Sequence, residues 1–300
     1  MTTPSPVAGI FEQHRDLLFA VAYRMLGTVA DAEDAVQDSW LRWSAAARDE
    51  VADPKAYLIR VVTNGSLDRL RSARARREAY VGPWLPEPVL TGPGVADRAE
   101  LAESVSLAML VVLESLTPEE RAVFVLREVF GFSHAEIASS LGKSEPGVRQ
   151  LAHRAREHVQ ARRPRFEVDR GQQQEVTRRF LAAAMGGDLD GLLAVLAPDV
   201  VLVSDGGGKA RAAIRPITGA DKVARFIRGI VGRPYDGHQV RDITRSRAAI
   251  NGSPGVVLTA AGQVLAAVTV TVAGDRVTAL QLVVNPDKLR AISAGRELPM

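Results

Sequence analysis

The chain has 300 residues, enough for two or three domains, and no cysteine, which excludes disulfide scaffolds and thiolate sites. Its net charge of +3 is the small difference between 38 basic and 35 acidic side chains, so bulk charge points to no partner. No apolar run reaches the roughly 18 uncharged residues that a membrane span needs. The opening MTTPSPVAGIFEQHRD lacks a basic segment followed by an apolar one, so neither a secretion signal nor a membrane partner is read and a cytoplasmic address is expected.

In chain order, Ile10, His14, Leu17, Leu18, Val21 and Met25 recur at helical spacing, and Gly27 ends the run. Residues 30 to 46 make a second helix, with acids in its first turn and Trp40 and Trp43 near its end. Asp53-Pro54 is a cap followed by a proline, the start of a long helix to about Arg77. A three-helix domain over residues 1–80 follows. Residues 81–96, VGPWLPEPVLTGPGVA, are too rich in proline and glycine for a helix to persist, and read as a linker. Trp84 and Leu85 are apolar enough to dock against something. Helix returns at about Asp97 and opens a domain spanning 97–165.

Residues 117 to 163 carry the most specific local signal. Thr117-Pro118-Glu119-Glu120 and Ser133 to Glu136 are both capping boxes. Ile137 and Leu141 share a face of the short helix after Ser133, Gly142 is a left-handed stop, and Ser144 caps the next helix. Helix, glycine turn and helix make a helix-turn-helix, whose second helix enters the DNA major groove. On that helix Val148, Leu151, Ala152, Ala155 and Val159 form one arc. Arg149, Gln150, His153 and Arg154 lie outside it, and arginine and glutamine suit guanine and adenine edges. The local charge agrees: residues 60–77 hold six Arg against one Asp, and 143–165 hold seven bases against two Glu.

After Pro164 the pattern changes. Residues 172–197 read as two helices broken at Gly186-Gly187, then a short strand at Val200 to Val203, then a helix at Asp221 to Ile230. From about His238 the pattern is β: QVRDI, RAAI, VVLTA, VLAAVTVTV and RVTALQLVV. Asn285-Pro286 ends the sheet and starts a last short helix. Two all-α domains followed by an α+β domain with a curved antiparallel sheet over 166–300 is the predicted plan.

Three segments now carry a resemblance. AYRMLGTVADAEDAVQDSWLRW (22–43), DPKAYLIRVVTNGSLDRLR (53–71) and the helix-turn-helix, in that order, resemble bacterial RNA polymerase sigma factors of the extracytoplasmic-function (ECF) class over residues 8 to 163. WLPEP (84–88), DGGGK (205–209) and NPDKL (285–289) resemble a subgroup with a C-terminal SnoaL-like domain of the NTF2-like cone fold.

The resemblance implies binding to core RNA polymerase and to promoter DNA. Asp31, Glu33, Asp34 and Asp38 would face a basic polymerase surface with Trp40 as an anchor, while Trp43 is equally a core residue. Arg60, Asn64, Asp68 and Arg71, with Tyr57 and the loop Arg48 to Asp53, would act at the melted minus-ten element. Asp68 also has a simpler role as an ion-pair partner of Arg69 or Arg71. Arg149, Gln150, His153 and Arg154 would read the minus-thirty-five element.

The subgroup motifs mark a regulatory contact in cis through Trp84, Leu85, Pro86, Asp205, Lys209, Asn285, Pro286, Asp287, Lys288 and Leu289. The alternative is a pocket in the C-terminal domain that senses a small-molecule ligand or retains cyclase- or isomerase-type chemistry, with Asp199, Asp205, Asp236 and His238 as its acid–base candidates. No catalytic residue, metal or cofactor is assigned.

Overall fold

A computed structural model describes residues 6–46, 51–92, 104, 106–162 and 170–297. It divides into two compact units. One holds the chain up to Ala79 and from Leu110 through the helix-turn-helix. The other holds Tyr80–Met109 and the chain from residue 170 to Glu297. The predicted helix from Asp97, the loop residues Arg48 to Glu50 and the junction around Pro164 lie largely outside the described residues.

In the helical unit, α1 (Pro6–Leu26), α2 (Val29–Ala45) and α3 (Pro54–Glu78) pack around Leu18, Val21, Tyr23, Met25, Leu58 and Val62, all buried. Each start follows local chemistry. Thr28 accepts from the Asp31 amide to cap α2, and Asp53 accepts from the Ala56 amide to cap α3. Helix α4 (Leu107–Leu113) leads to α5 (Pro118–Phe124), which relaxes into a π-helical turn over Val125–Val129. Then come α6 (His134–Leu141) and α7 (Glu145–Arg162). The capping boxes of Thr117 with Glu120 and of Ser133 with Glu136 are both formed. Gly142 stands at φ 61°, the left-handed region where a side chain is strained, and turns the chain from α6 into α7.

The second unit contains α8 (Arg170–Gly186), α9 (Leu189–Val195), β1 (Leu196–Asp205), β2 (Ile217–Thr218), α10 (Ala220–Val231), β3 (Thr244–Ile250), β4 (Ser253–Ala260), β5 (Gln263–Ala273) and β6 (Arg276–Val283). A short 3-10 turn at Pro286–Leu289 and α11 (Arg290–Ser293) follow. The six strands lie in the order β2-β1-β6-β5-β4-β3.

Three expectations are corrected here. The sheet is mixed, because β1 runs parallel to β6, with Leu202 opposite Leu280. The QVRDI segment is not a strand: Val240–Asp242 is a 3-10 turn with none of its residues buried, so it has no face to commit to a sheet. Strand β1 also begins earlier and ends later than Val200 to Val203.

Each face of the sheet carries its own core. Helices α8, α9 and α10 cover one face through Val176, Phe180, Leu192, Val223 and Ile227 against Val270 and Leu280. The other face packs Val257, Ala267 and Val283 against Leu289 and Ile292, and against Leu85 from the linker. Full burial of a leucine stabilises by roughly 1.5–3 kcal/mol, so the linker is held in the second unit as part of its core. No helix among the described residues is long and apolar enough to cross a membrane.

Candidate functional site

The helix-turn-helix presents its faces as its residue spacing requires. Val148, Ala152, Ala155 and Val159 are buried and Leu151 partly so, while Arg149, Gln150, His153 and Arg154 are exposed. Arg149 bonds Glu145 one turn back at 2.5 Å, His153 stands 3.7 Å from Glu157, and Arg154 lies 3.9 Å from the buried Glu120. The polar face therefore carries weakly tethered donors on a rigidly seated helix.

Helix α3 is partly covered by this same half of the unit. The Asn64 amide donates to the Ser140 carbonyl at 3.1 Å, and Arg71 bonds Glu119 at 2.8 Å while also pairing with Asp68 at 3.2 Å. The hydrogen bond from Arg71, then its charge, hold Glu119 below the usual carboxylate range. Arg60 is exposed and lies over the Tyr57 ring at 5.4 Å. Of the four α3 candidates, Asn64 and Arg71 contact the helix-turn-helix half, whereas Arg60 and Asp68 make no ion pair or hydrogen bond to it among the described residues.

Deeper in the same seam, Arg121 is 2% exposed, donates to the Arg24 carbonyl at 3.0 Å and pairs with Glu114, which also pairs with Arg77. Burial pushes the Arg121 guanidinium down to about 9 and that of Arg24 to about 10. Arg24 bonds the Ala20 carbonyl and lies 5.2 Å over the Phe130 ring. These two buried arginines join α1 to α5, a role that spacing did not reveal because arginine reads as a surface residue.

On α2, Asp34 and Asp38 are exposed, and both approach Arg69 of α3, at 3.9 and 2.5 Å. Asp31 accepts from the Thr28 hydroxyl at 2.6 Å, and Asp31 and Glu33 are half-buried. Trp40 packs edge-on to Phe11 at 5.1 Å, whereas Trp43 is buried with its indole donating to the Val7 carbonyl. Leu41, 56% exposed, shares a helix face with Asp34 and Asp38 and was missed by the sequence reading.

The second unit brings the three remaining motifs together around one carboxylate. Asp205 ends β1 and has no exposed surface. It accepts from the Tyr80 hydroxyl at 2.5 Å, the Leu85 amide at 2.8 Å and the Lys288 ammonium at 2.6 Å. Lys288 also donates to the Leu85 carbonyl at 2.5 Å and lies 4.1 Å over the Trp84 ring. Burial, then the bond to Asp205, hold the Tyr80 hydroxyl well above the usual phenol range.

Asn285 donates to the Tyr80 oxygen at 2.8 Å and accepts from the Asp287 amide, while Lys209 pairs with Asp287. Pro286 opens the 3-10 turn and Leu289 is buried beside Leu85. Pro86, the residue after Leu85, is also buried. In the DGGGK loop, a Cβ on Gly207 would stand 2.3 Å from the Asn285 amide and 2.7 Å from the Tyr80 oxygen, so close approach demands glycine there.

A second clamp lies further along the linker. Val89 and Asn251 exchange two hydrogen bonds, the Thr91 amide donates to the Ala249 carbonyl at 3.0 Å, and the Gly252 amide donates to the Thr91 hydroxyl at 3.0 Å. Tyr80, Thr91 and Asn251 are not among the residues that the sequence points to. Asp199 and Asp236 are exposed, and neither they nor Asp205 and His238 line the cavity beside β3 and β4.

Comparison with known proteins fits this layout. Residues 10–76 match the family model of sigma-70 region 2, and residues 106–159 that of sigma-70 region 4. The ECF RNA polymerase sigma factor SigJ of Mycobacterium tuberculosis is 44% identical over 289 residues, covering 93% of this chain and 91% of that protein. A probable ECF sigma factor SigI of the same species is 38% identical over 230 residues, covering 76% of this chain and 78% of its own length. The crystal structure of M. tuberculosis SigJ superposes with a TM-score of 0.75 at 40% identity, covering 97% of this chain and 99% of that one.

Proposed function

The chain belongs to the ECF RNA polymerase sigma factors, and we propose that its C-terminal sheet unit regulates it in cis by holding the segment between its two DNA-binding regions. As a sigma factor it recognises promoter DNA and initiates transcription with core RNA polymerase. The finer assignments follow from the exposed chemistry. Arg149, Gln150, His153 and Arg154 of α7 read the upstream element, since they are the donors that a seated recognition helix leaves exposed. Arg60, Asn64, Asp68 and Arg71 of α3 act at the melted element. Asp31, Glu33, Asp34, Asp38 and Trp40 of α2, joined by Leu41, meet the polymerase.

The observation that carries the regulatory reading is the buried Asp205. It binds Tyr80, which directly precedes the linker, the linker itself through Leu85, and the C-terminal segment through Lys288. The linker separates the two sigma regions, so whatever grips it limits their relative reach. A grip within one chain acts at high effective concentration, so it needs no strong intrinsic affinity.

Run-off transcription with core polymerase tests this. Tyr80→Phe and Asp205→Ala, checked for folding by circular dichroism, are expected to change promoter output relative to the full chain. Output from both equal to that of the full chain overturns the reading. A second reading, a small-molecule site in the same unit, is favoured by the cavity between α8 and the β3–β4 hairpin.

A further inference from the structure

A cavity of about 600 Å³ opens between α8 and the β3–β4 hairpin, on the sheet face opposite the Asp205 latch. Its volume lies in the range of small-molecule sites, which bury most of a compact ligand behind a few placed polar groups. Leu181 and Pro254 supply apolar wall. Thr177 also lines it: the residue is 4% exposed, and its hydroxyl oxygen has no hydrogen-bond partner among the described residues. A buried hydroxyl is costly unless something bonds it, and a helical threonine ordinarily bonds back to its own helix.

The charges in the lining do not cancel. Arg178 and Glu175 neutralise each other through two bonds of 2.8 and 2.6 Å. Arg247, on β3 at the mouth, makes no ion pair among the described residues. One uncommitted guanidinium presents a planar fork that matches a carboxylate, and a single cation suits a monoanion better than a dianionic phosphate.

The wall of this cavity is also the second linker clamp. Ala249 and Gly252 line the cavity, and the same two residues hold Thr91 by its amide and its hydroxyl. Between them Asn251, at φ 50°, exchanges two bonds with Val89. A ligand that shifts the hairpin turn therefore acts directly on the linker's attachment.

We propose that this cavity binds a small amphipathic monocarboxylate, its head on Arg247 and Thr177 and its body along Leu181 and Pro254, and that occupancy alters the hold of the β3–β4 turn on Val89 and Thr91. The consequence for transcription rests on the regulatory reading above; the binding does not.

The test titrates the full chain calorimetrically with straight-chain carboxylates from hexanoate to decanoate and with their primary amides. The carboxylates are expected to saturate at least about tenfold more tightly than the amides, and Arg247→Gln to remove that preference. Thr177→Val is expected to weaken both series. Hydrogen exchange at the Val89 and Thr91 amides is expected to change on saturation. Absence of carboxylate binding, equal binding of amides, or unchanged preference in Arg247→Gln overturns the site. Binding with unchanged exchange at both amides overturns its coupling to the linker. If the latch variants leave transcription unaltered while the carboxylates still bind, the regulatory reading falls and the site stands.

Discussion

Lys288 reaches across 203 residues of sequence to the Leu85 carbonyl while pairing with Asp205, and so closes the linker and the C-terminal segment onto one buried carboxylate. Both partners of this pair are out of water, Asp205 entirely. Removing one partner of a buried pair leaves the other charge uncompensated, typically at about 3–5 kcal/mol. Lys288→Met is therefore expected to destabilise the sheet unit by that order, measured as a shift of its urea midpoint. An unchanged midpoint would show that the pair is not an integral part of the fold.

Arg149→Ala is expected to weaken promoter binding by about 1–3 kcal/mol and to relax preference at one base pair of the upstream element. Among the described residues Arg149 is tied only to Glu145, a surface pair one turn away that is worth little. Little is therefore lost from the fold when the arginine is removed. Selection from a randomised upstream element reads the effect, and unaltered base preference counts against the assignment.

The helix-turn-helix was legible because its signals are local. Thr117, Ser133 and Gly142 each act within four residues, and each acts as its type demands. The β-face alternation of residues 253–283 was readable for the same reason. What escaped is non-local. Nothing near residue 200 tells that β1 will pair in parallel with β6, because that pairing is decided by the helices and strands between them. Tyr80 looks like the frayed end of α3 until Asp205, 125 residues later, supplies its acceptor. The motif residues of WLPEP, DGGGK and NPDKL could be named from resemblance. Their convergence on one carboxylate, and the need for Gly207 to let Asn285 and Tyr80 meet, required the fold. QVRDI misled because five residues are too few to separate an alternating pattern from a 3-10 turn.

Asn64 and Arg71 both contact the helix-turn-helix half, so the proposed role of α3 at the promoter predicts that these contacts are released on engagement. Glu119→Gln removes the stronger half of the Arg71 contact, a partly exposed pair contributing about 0.2–1 kcal/mol. It is expected to increase the separation between labels on exposed positions of α3 and α6 in the free chain. Asn64→Ala is expected to impair strand opening more than closed-complex binding, read by permanganate reactivity; normal reactivity would sink the role. Arg71 holds Glu119 below its ordinary 4.5, so the pair's stabilisation is fully present above that value. It is lost only as pH falls through the lowered value, and closure should be flat across neutral pH.

Leu85 and Leu289 lie in one buried cluster with Ile250, Val257, Ala267, Val283 and Ile292, so the linker and the C-terminal segment share a core and not only an ion pair. Each leucine-to-alanine change is expected to cost about 2–5 kcal/mol, because both side chains are essentially sealed from solvent. The two losses should not add. Once Leu289 is truncated, Leu85 has lost part of the surface it packs on, so its own truncation removes less; contacting pairs typically couple by about 0.5–3 kcal/mol. Trp84→Ala behaves differently, since its ring is engaged through the Lys288 ammonium at 4.1 Å and it is not a member of that apolar cluster. Trp84→Ala should therefore couple to Lys288→Met more strongly than to Leu289→Ala. Denaturant unfolding of the two double-mutant cycles measures both terms. Additivity of Leu85→Ala with Leu289→Ala would mean that the two segments occupy the sheet independently, and the linker could then leave without loosening the C-terminal segment.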